Sequence, residues 1–489
     1  MMKKIEIDPI SRLEGHGKIA IFLDDNGDVA NAYVQIPELR GFEQFAVGRP
    51  VEELPRITPR ICGVCPLVHH YASSKACDAV YRVPLPPNGE RLRRMIYNAY
   101  MFYDHLLHFY YLAAPDFVVG PTADPAERNI LGVVGKVGLE IGSKVIEMRA
   151  KSIDVLKYFG GKRTHPIINL PGGVSRPLDA EKREEMLGHA REAVEFSKFT
   201  FQLFEDVVLK NKEYVDLVLS EAYGGQETYY IGVVNDDNEL DFYDGWSRIV
   251  DPDGNEFARF AAEDYLDHIE ERVEPWSYLK VTYLKKIGWK GWVTGKDSGI
   301  YRGGPLATLN AADRMQTPVA QAEYEKFYAT LGGKPVHASL AYHWARIIRG
   351  AQGAELWLRH LEDDEILDPH VRNLATETPS RGVGIVEAAR GHLIHDYTTD
   401  ENGILTEANL IVSTTQNYAG INLAVRNAAR GVITGGDVDE GKLNMVEMAF
   451  RAYDPCMACA THALPGKMPL EYELYDAGGE LLRTIKRNC

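Results

Sequence analysis

Arg60-Ile-Cys62-Gly-Val-Cys65-Pro66-Leu-Val-His69 is answered, almost a full chain length later, by Asp454-Pro455-Cys456-Met-Ala-Cys459-Ala-Thr-His462. Each stretch holds a Cys-x-x-Cys pair followed by a histidine, and each places a proline where a helix would open. Proline suits the first helical position because its φ is already helical and it has no N–H to leave unpaired. Pro66 therefore predicts a helix capped by Cys65. In the second stretch Asp454 is expected to cap and Pro455 to open a helix, putting Cys456 and Cys459 at i and i+3 on one face with His462 three further on. Thiolates at a helix start are stabilised by the unpaired N–H groups and the dipole. His69, four residues after Cys65, is spaced to point back at the same centre. Two such helix starts facing each other would gather four thiolates around one site.

A single Cys-x-x-Cys is a weak signal, given equally by a redox pair, half a zinc site or chance. Structural zinc sites place their second pair within some tens of residues, whereas these pairs lie near opposite ends of the chain. On spacing alone a four-cysteine zinc or rubredoxin-like iron site stays open. Nickel and iron are thiophilic and suit soft thiolate ligands. The six cysteines among 489 residues are too sparse for a disulfide framework, which implies a reducing compartment. Cys77 and Cys489 stand alone, and Cys77 is expected to be a buried apolar residue.

Hydrophobic content of 45% and charged content of 25% are those of a soluble globular protein with room for a dry interior site. A net charge of −16 argues against nucleic acid or anionic membrane as the main partner. No stretch approaches the roughly 18 to 20 apolar residues of a membrane span, and Met1 to Pro9 lacks the apolar run of a signal peptide, so a cytoplasmic location is expected. Residues 1–55 read as an N-terminal β part, with Lys18–Leu23 and Val29–Ile36 flanking a type I′ turn at Asn26-Gly27. Helical patterns run from Glu90 to a stop at Pro115, from Pro125 to Phe159 ending at Gly160-Gly161, over 178–220, and over 317–363. Residues 223–310 read as a β-rich insertion with turns at Asp244-Gly245 and Asp253-Gly254. Strands are expected near 383–395 and 405–413. The expected fold is mainly α with smaller β elements: a long-helix bundle over about 56–222 and 311–462, with β elements at its edges.

In their full contexts the two cysteine segments resemble the signature pairs of nickel–iron hydrogenase large subunits. The resemblance extends to Arg12-Leu-Glu14-Gly-His16, Arg40-Gly-Phe-Glu43, Asp104-His-Leu-Leu-His-Phe-Tyr110 and Glu387-Ala-Ala-Arg390-Gly, in order and over essentially the whole chain. It implies reversible heterolytic cleavage of H2 at a centre in which all four cysteines bind nickel and Cys65 and Cys459 also bridge to iron. Carbon monoxide and cyanide would complete the iron. It further implies Glu14 as the first proton relay beyond the thiolates, and Arg390 held over the metals by Asp104 and Asp454. His69 would donate to a bridging thiolate or nearby ligand, and Thr414 to an iron cyanide. Glu43, His462 and the main-chain carbonyl of Leu410 would bind a second cation, magnesium or iron. His70, His105 and His108 match nothing and are expected to pack in the core or on helix surfaces. Relatives often carry proline where Ala389 stands, which loosens the backbone before Arg390.

The same resemblance implies an iron–sulfur small subunit as partner. Electrons would pass on to NAD(P), a deazaflavin or a heterodisulfide-reductase flavoprotein through further flavoprotein or diaphorase subunits, because this chain has no Gly-x-Gly-x-x-Gly after a strand and no further cysteine cluster. Nickel-insertion proteins and a peptidase would act in maturation. The peptidase would cut after His462, making 1–462 the mature catalytic chain and 463–489 a removed extension; the alternative is an ordinary surface extension. While the tail is attached, Cys456 and Cys459 are expected to be incompletely assembled or the metals absent. Two other classes remain open to the sequence. The related respiratory complex I subunit shares the fold and lacks the cysteines, and a structural zinc protein would contain zinc alone.

Overall fold

Strands β1 (Lys3–Ile7), β2 (Lys18–Leu23) and β3 (Val29–Gln35) form one antiparallel sheet in that order. Ile19 and Ile21 of β2 pair with Val34 and Ala32 of β3, and all four are buried, as is Ala20 between them. The turn between them is not type I′. That turn needs positive φ at both central residues, and only Gly27 has it, at +85°. The Asp24 carboxylate organises the turn instead, accepting from the N–H groups of Asn26 and Asp28 at 2.9 and 3.0 Å. Gly27 is also required by close approach, since a Cβ there would lie 2.5 Å from the Gly436 nitrogen.

The computed structural model describes residues 3–378, 380–461, 470–476, 478 and 480–487. Its core is a set of long helices: α1 (Pro66–Val80), α2 (Pro87–Leu107), α3 (Leu139–Gly160), α4 (Ala180–Phe204) and α5 (Tyr342–Glu362). α5 packs along α2 and α4. α1 is buried on almost every face, so its polar side chains must find partners inside the protein. The helix begun by α2 does not stop at Pro115. It widens into π-type turns over His108–Ala113 and Pro115–Val119 and ends at Gly120. The wider coil relieves the clash that a proline ring makes with the carbonyl one α-turn earlier. The single helix expected over 125–159 is two, Ile130–Val137 and α3, broken at Gly138 with φ +93°, and α3 ends at Gly160-Gly161 as expected.

The insertion is β-rich as read: β4 (Tyr229–Val234), β5 (Trp246–Val250) and β6 (Glu256–Phe260) pair antiparallel. The single strand expected near 383–395 is a hairpin, β7 (Arg381–Ala388) and β8 (Gly391–Thr399), followed by β9 (Leu405–Ile411). Helix α6 (Ser413–Val432) follows β9, and the short α7 (Met457–Ala460) closes the site. Pro455 does not open α7. Asp454 takes a left-handed φ of +55°, and Cys456 occupies the cap position. Beyond it, Leu470–Tyr475 and Leu481–Arg487 form an antiparallel hairpin. The architecture is the expected one, mainly helical with small sheets at the edges. Among the described residues, no helix is long and apolar enough to cross a membrane.

Candidate metal centre

α1 and α7 bring their N-terminal ends together, and the four sulfurs of Cys62, Cys65, Cys456 and Cys459 lie within 4.8 Å of one another. Cys65 caps α1 with Pro66 at its first position, as predicted. The sulfur separations are 3.4 Å (Cys62–Cys456), 3.8 Å (Cys65–Cys456), 3.0 Å (Cys65–Cys459) and 2.8 Å (Cys456–Cys459). All four residues are buried and none is in a disulfide. Burial pushes the Cys456 and Cys459 thiols well above their ordinary pKa, whereas hydrogen bonds from Cys456, Cys459 and Cys65 push Cys62 down. Four negative sulfurs at these distances need cations among them, and metal binding is what removes such protons. The donor set is soft, buried and convergent, and it fits a nickel–iron pair. Cys456 and Cys459 stand in the cluster beside Cys62 and Cys65.

Glu14 reaches the centre because its backbone runs beside the second cysteine segment. Met457 N–H donates to the Glu14 carbonyl at 3.0 Å, and Glu14 pairs with Cys456 in a parallel bridge. Gly15 permits the approach: its φ is +83°, and a Cβ there would lie 2.8 Å from Met457 Cβ. The Glu14 Oε2 accepts from Cys456 Sγ at 2.9 Å and from Ala458 N–H at 3.0 Å. Burial raises the Glu14 pKa, with the Cys62 charge adding to it.

On the opposite side Arg390 sits at the tight turn between β7 and β8. Its guanidinium lies 3.1 Å from Asp104 Oδ1 and 2.8 Å from Asp454 Oδ2, and its Nε donates to the Asp454 carbonyl at 3.0 Å. Burial alone would lower the arginine's pKa, but the two aspartates more than offset it. Asp454 is raised to about 6 by burial. Asp454 thus orients Arg390 where the sequence suggested a helix cap. The turn lacking proline is held by its carbonyls: Arg349 donates to Ala388 O at 2.7 Å, Asn417 to Arg390 O at 2.8 Å and Ser413 to Gly391 O at 2.7 Å.

His69 Nε2 stands 3.3 Å from Cys459 Sγ. Thr414 accepts from the Cys456 N–H at 3.0 Å, and its hydroxyl borders a small cavity beside the sulfurs walled by Val68, Leu393 and Val412. Glu43 is buried and accepts from the Leu410 N–H at 2.9 Å, which brings those two residues together. His462 lies outside the described residues. His70 and His108 are core histidines, bonded to the Pro55 and Arg451 carbonyls, and His105 is buried as well. Cys77 is buried and donates to Val51 O. Sequence reasoning missed Arg40, whose Nη2 donates to the carbonyls of Ile61, at 2.7 Å, and Ala458, one residue before each of two cysteines. It also missed His165, with a left-handed φ of +53° and its Nε2 3.1 Å from the Cys62 carbonyl. Arg40 was visible inside a quoted motif, while His165 carried no signal.

The profile of the nickel-dependent hydrogenase family matches residues 40–130 and 143–462, and that of the HoxL-like family matches residues 4–39. An F420-non-reducing hydrogenase iron-sulfur subunit from Archaeoglobus profundus is 49% identical over 486 residues, covering 99% of this chain and 100% of that protein. The NAD-reducing hydrogenase HoxS subunit beta of Cupriavidus necator is 37% identical, covering 99% of each chain. A solved NAD+-reducing NiFe hydrogenase in the H2-reduced state superposes with a TM-score of 0.88 at 38% identity, covering 94% of this chain and 99% of that one. The chain belongs to the nickel-dependent hydrogenase family as its catalytic large subunit, an oxidoreductase acting on H2. The four thiols speak against the complex I relative, and the match across both cysteine segments against a structural zinc protein.

Proposed function

We propose that this chain cleaves and forms H2 heterolytically, moving the proton through Cys456 and Glu14 and passing electrons to an iron–sulfur small subunit and on to a soluble acceptor. The observation that carries it is the 2.9 Å contact between Cys456 Sγ and Glu14 Oε2 beside four convergent thiols. Bound to those sulfurs, nickel and iron supply a redox-active, Lewis-acidic pair that polarises H2 and takes up its electrons. Cys62 and Cys456 would hold nickel alone, and Cys65 and Cys459 both metals. Glu14, whose carboxyl binds protons more readily than usual, accepts the proton held on Cys456 Sγ and carries it outwards. Arg390, fixed by Asp104 and Asp454, presents a permanent positive charge over the site. His69 donates to Cys459 Sγ. The apolar walls of the cavity and the Thr414 hydroxyl suit carbon monoxide and cyanide on iron.

Glu43, the Leu410 carbonyl and His462 form the proposed second cation site, for magnesium or iron. Cys77 and Cys489 are too few to hold an iron–sulfur cluster, which needs four thiolates, and this supports a separate small subunit. The names of the two relatives favour further subunits and an acceptor other than deazaflavin: NAD(P), or a heterodisulfide-reductase flavoprotein. A cytoplasmic site is in keeping with five unpaired cysteines among the described residues. The tail after His462 is proposed to be removed by a peptidase once nickel has been inserted. Glu14→Gln tests the proton route. The variant should keep nickel and iron and lose H2 oxidation by about 100-fold or more; turnover like the wild type would place the route elsewhere.

A further inference from the structure

Behind His69, three side chains continue away from the sulfurs in single file. His69 Nδ1 lies 3.2 Å from His395 Nε2, and His395 Nδ1 lies 2.7 Å from the Tyr397 phenol oxygen. That oxygen lies 2.9 Å from Ser73 Oγ. All four residues are buried. α1 supplies the two ends, His69 and Ser73, one helical turn apart. β8, which packs on α1, supplies the middle from alternate positions on one face. We infer that His395, backed by Tyr397 and Ser73, is a positioning residue for the H2 reaction: it fixes His69 with its proton on Nε2, aimed at Cys459 Sγ. The inference rests on Cys459 being the metal-bound thiolate proposed above.

The direction of each hydrogen bond follows from the far end. A metal-bound thiolate only accepts, so His69 must carry its hydrogen on Nε2, and the neutral ring then offers a lone pair at Nδ1. His395 must donate to that lone pair from Nε2, which leaves its own Nδ1 as an acceptor. Tyr397 is the group placed to fill that position. Its single O–H donates to Ser73 Oγ as placed, and it can rotate to His395, the partner that a thiolate at the other end selects. Burial keeps the Tyr397 phenol well above its ordinary pKa, so it remains a donor. Aligned in one direction, the three bonds from Tyr397 to the sulfur polarise one another. Partners behind a metal site's first ligands act in this way, holding orientation and tautomer. Without His395, the His69 ring loses what distinguishes its two tautomers, and a lone pair can face the sulfur in place of an N–H.

The test compares His395→Phe, His395→Gln and Tyr397→Phe in the mature holoenzyme. It reads nickel and iron content, the infrared bands of the diatomic ligands on iron, and kcat and KM for H2. A hydrogen bond draws electron density from sulfur, so losing it should move the bands to lower frequency. His395→Phe should retain its metals, show that shift and lose about 10- to 100-fold in kcat with little change in KM. Gln donates through its amide and should restore the bands and most of the rate, while Tyr397→Phe should shift the bands the same way by less. Unchanged bands in His395→Phe, or the same shift in the Phe and Gln variants, would overturn the inference by leaving only a packing role. If His395→Phe loads no metal, Tyr397→Phe decides, and wild-type bands in that variant count against the chain. A wild type without such bands fails the proposed centre itself, an outcome separate from any difference among variants.

Discussion

Acid should unfold this protein through its buried neutral histidines, and His70 allows the size of the effect to be worked out. Its Nδ1–H donates to the Pro55 carbonyl at 2.7 Å, and its Nε2 accepts from the N–H groups of Ile168 and Asn169 at 3.0 and 2.8 Å. Both nitrogens are thus committed to the neutral ring, and protonation would set a new N–H against two others. Burial lowers its pKa from 6.5 to about 4. A pKa depressed on folding contributes stability that is complete above 6.5 and is lost as pH falls towards 4. At roughly 1.4 kcal/mol per unit the full term is about 3 kcal/mol, of which about 2 kcal/mol is gone by pH 5. His70 is fully buried, so solvent screening does not reduce the figure. Gln can donate to Pro55 and accept from 168–169 without titrating, so His70→Gln should remove this share of the pH dependence. The assay is urea unfolding at pH 7.5 and pH 5.0, by fluorescence, on both proteins. The wild type should lose about 2 kcal/mol more than the variant between the two pH values. Equal losses would refute the assignment of acid sensitivity to this ring. His343 and His392, both pushed down to about 3 by burial, should keep part of the lability in the variant.

Arg390→Lys should abolish most turnover and lower stability by about 3 to 5 kcal/mol. One ammonium cannot meet Asp104, Asp454 and the Asp454 carbonyl together, which leaves a buried carboxylate without its partner; a variant with wild-type melting and turnover contradicts this. Gly27→Ala should cost about 1 to 3 kcal/mol in thermal or urea unfolding, because the methyl group meets the Gly435-Gly436 backbone at a positive φ, and an unchanged midpoint would show that the turn yields. Mature active enzyme should end at His462 by intact mass, and fully active enzyme still carrying Cys489 would refute removal of the tail.

The cysteine pairs, the helix opened by Pro66 and the first β-hairpin were legible because local chemistry dictates them: a proline that must begin a helix, and alternation that must face a core. The turn inside that hairpin was misread because the Asp24 side chain outcompetes the Asn-Gly preference, a difference of a few hydrogen bonds. Pro115 looked like a stop because an α-helix would clash there, and the sequence does not announce a switch to a wider coil. Asp454 looked like a cap, but its carboxylate has a stronger use in pairing with Arg390, 64 residues before it in sequence. Arg390 was identified by resemblance, yet its place at a tight turn follows only from the pairing of β7 with β8. His395 and Tyr397 showed only strand alternation, and their contact with His69 spans 326 residues. Such contacts belong to the tertiary fold alone.

The central claim is that four buried thiols hold nickel and iron together. Metal analysis of matured wild-type protein beside Cys459→Ser, with infrared spectra of both, tests it most directly. Wild type should contain nickel and iron in equal amounts with diatomic-ligand bands, and Cys459→Ser should lose the cluster. Zinc alone in active wild-type protein, or a Cys459→Ser variant that keeps both metals and the same bands, would contradict it.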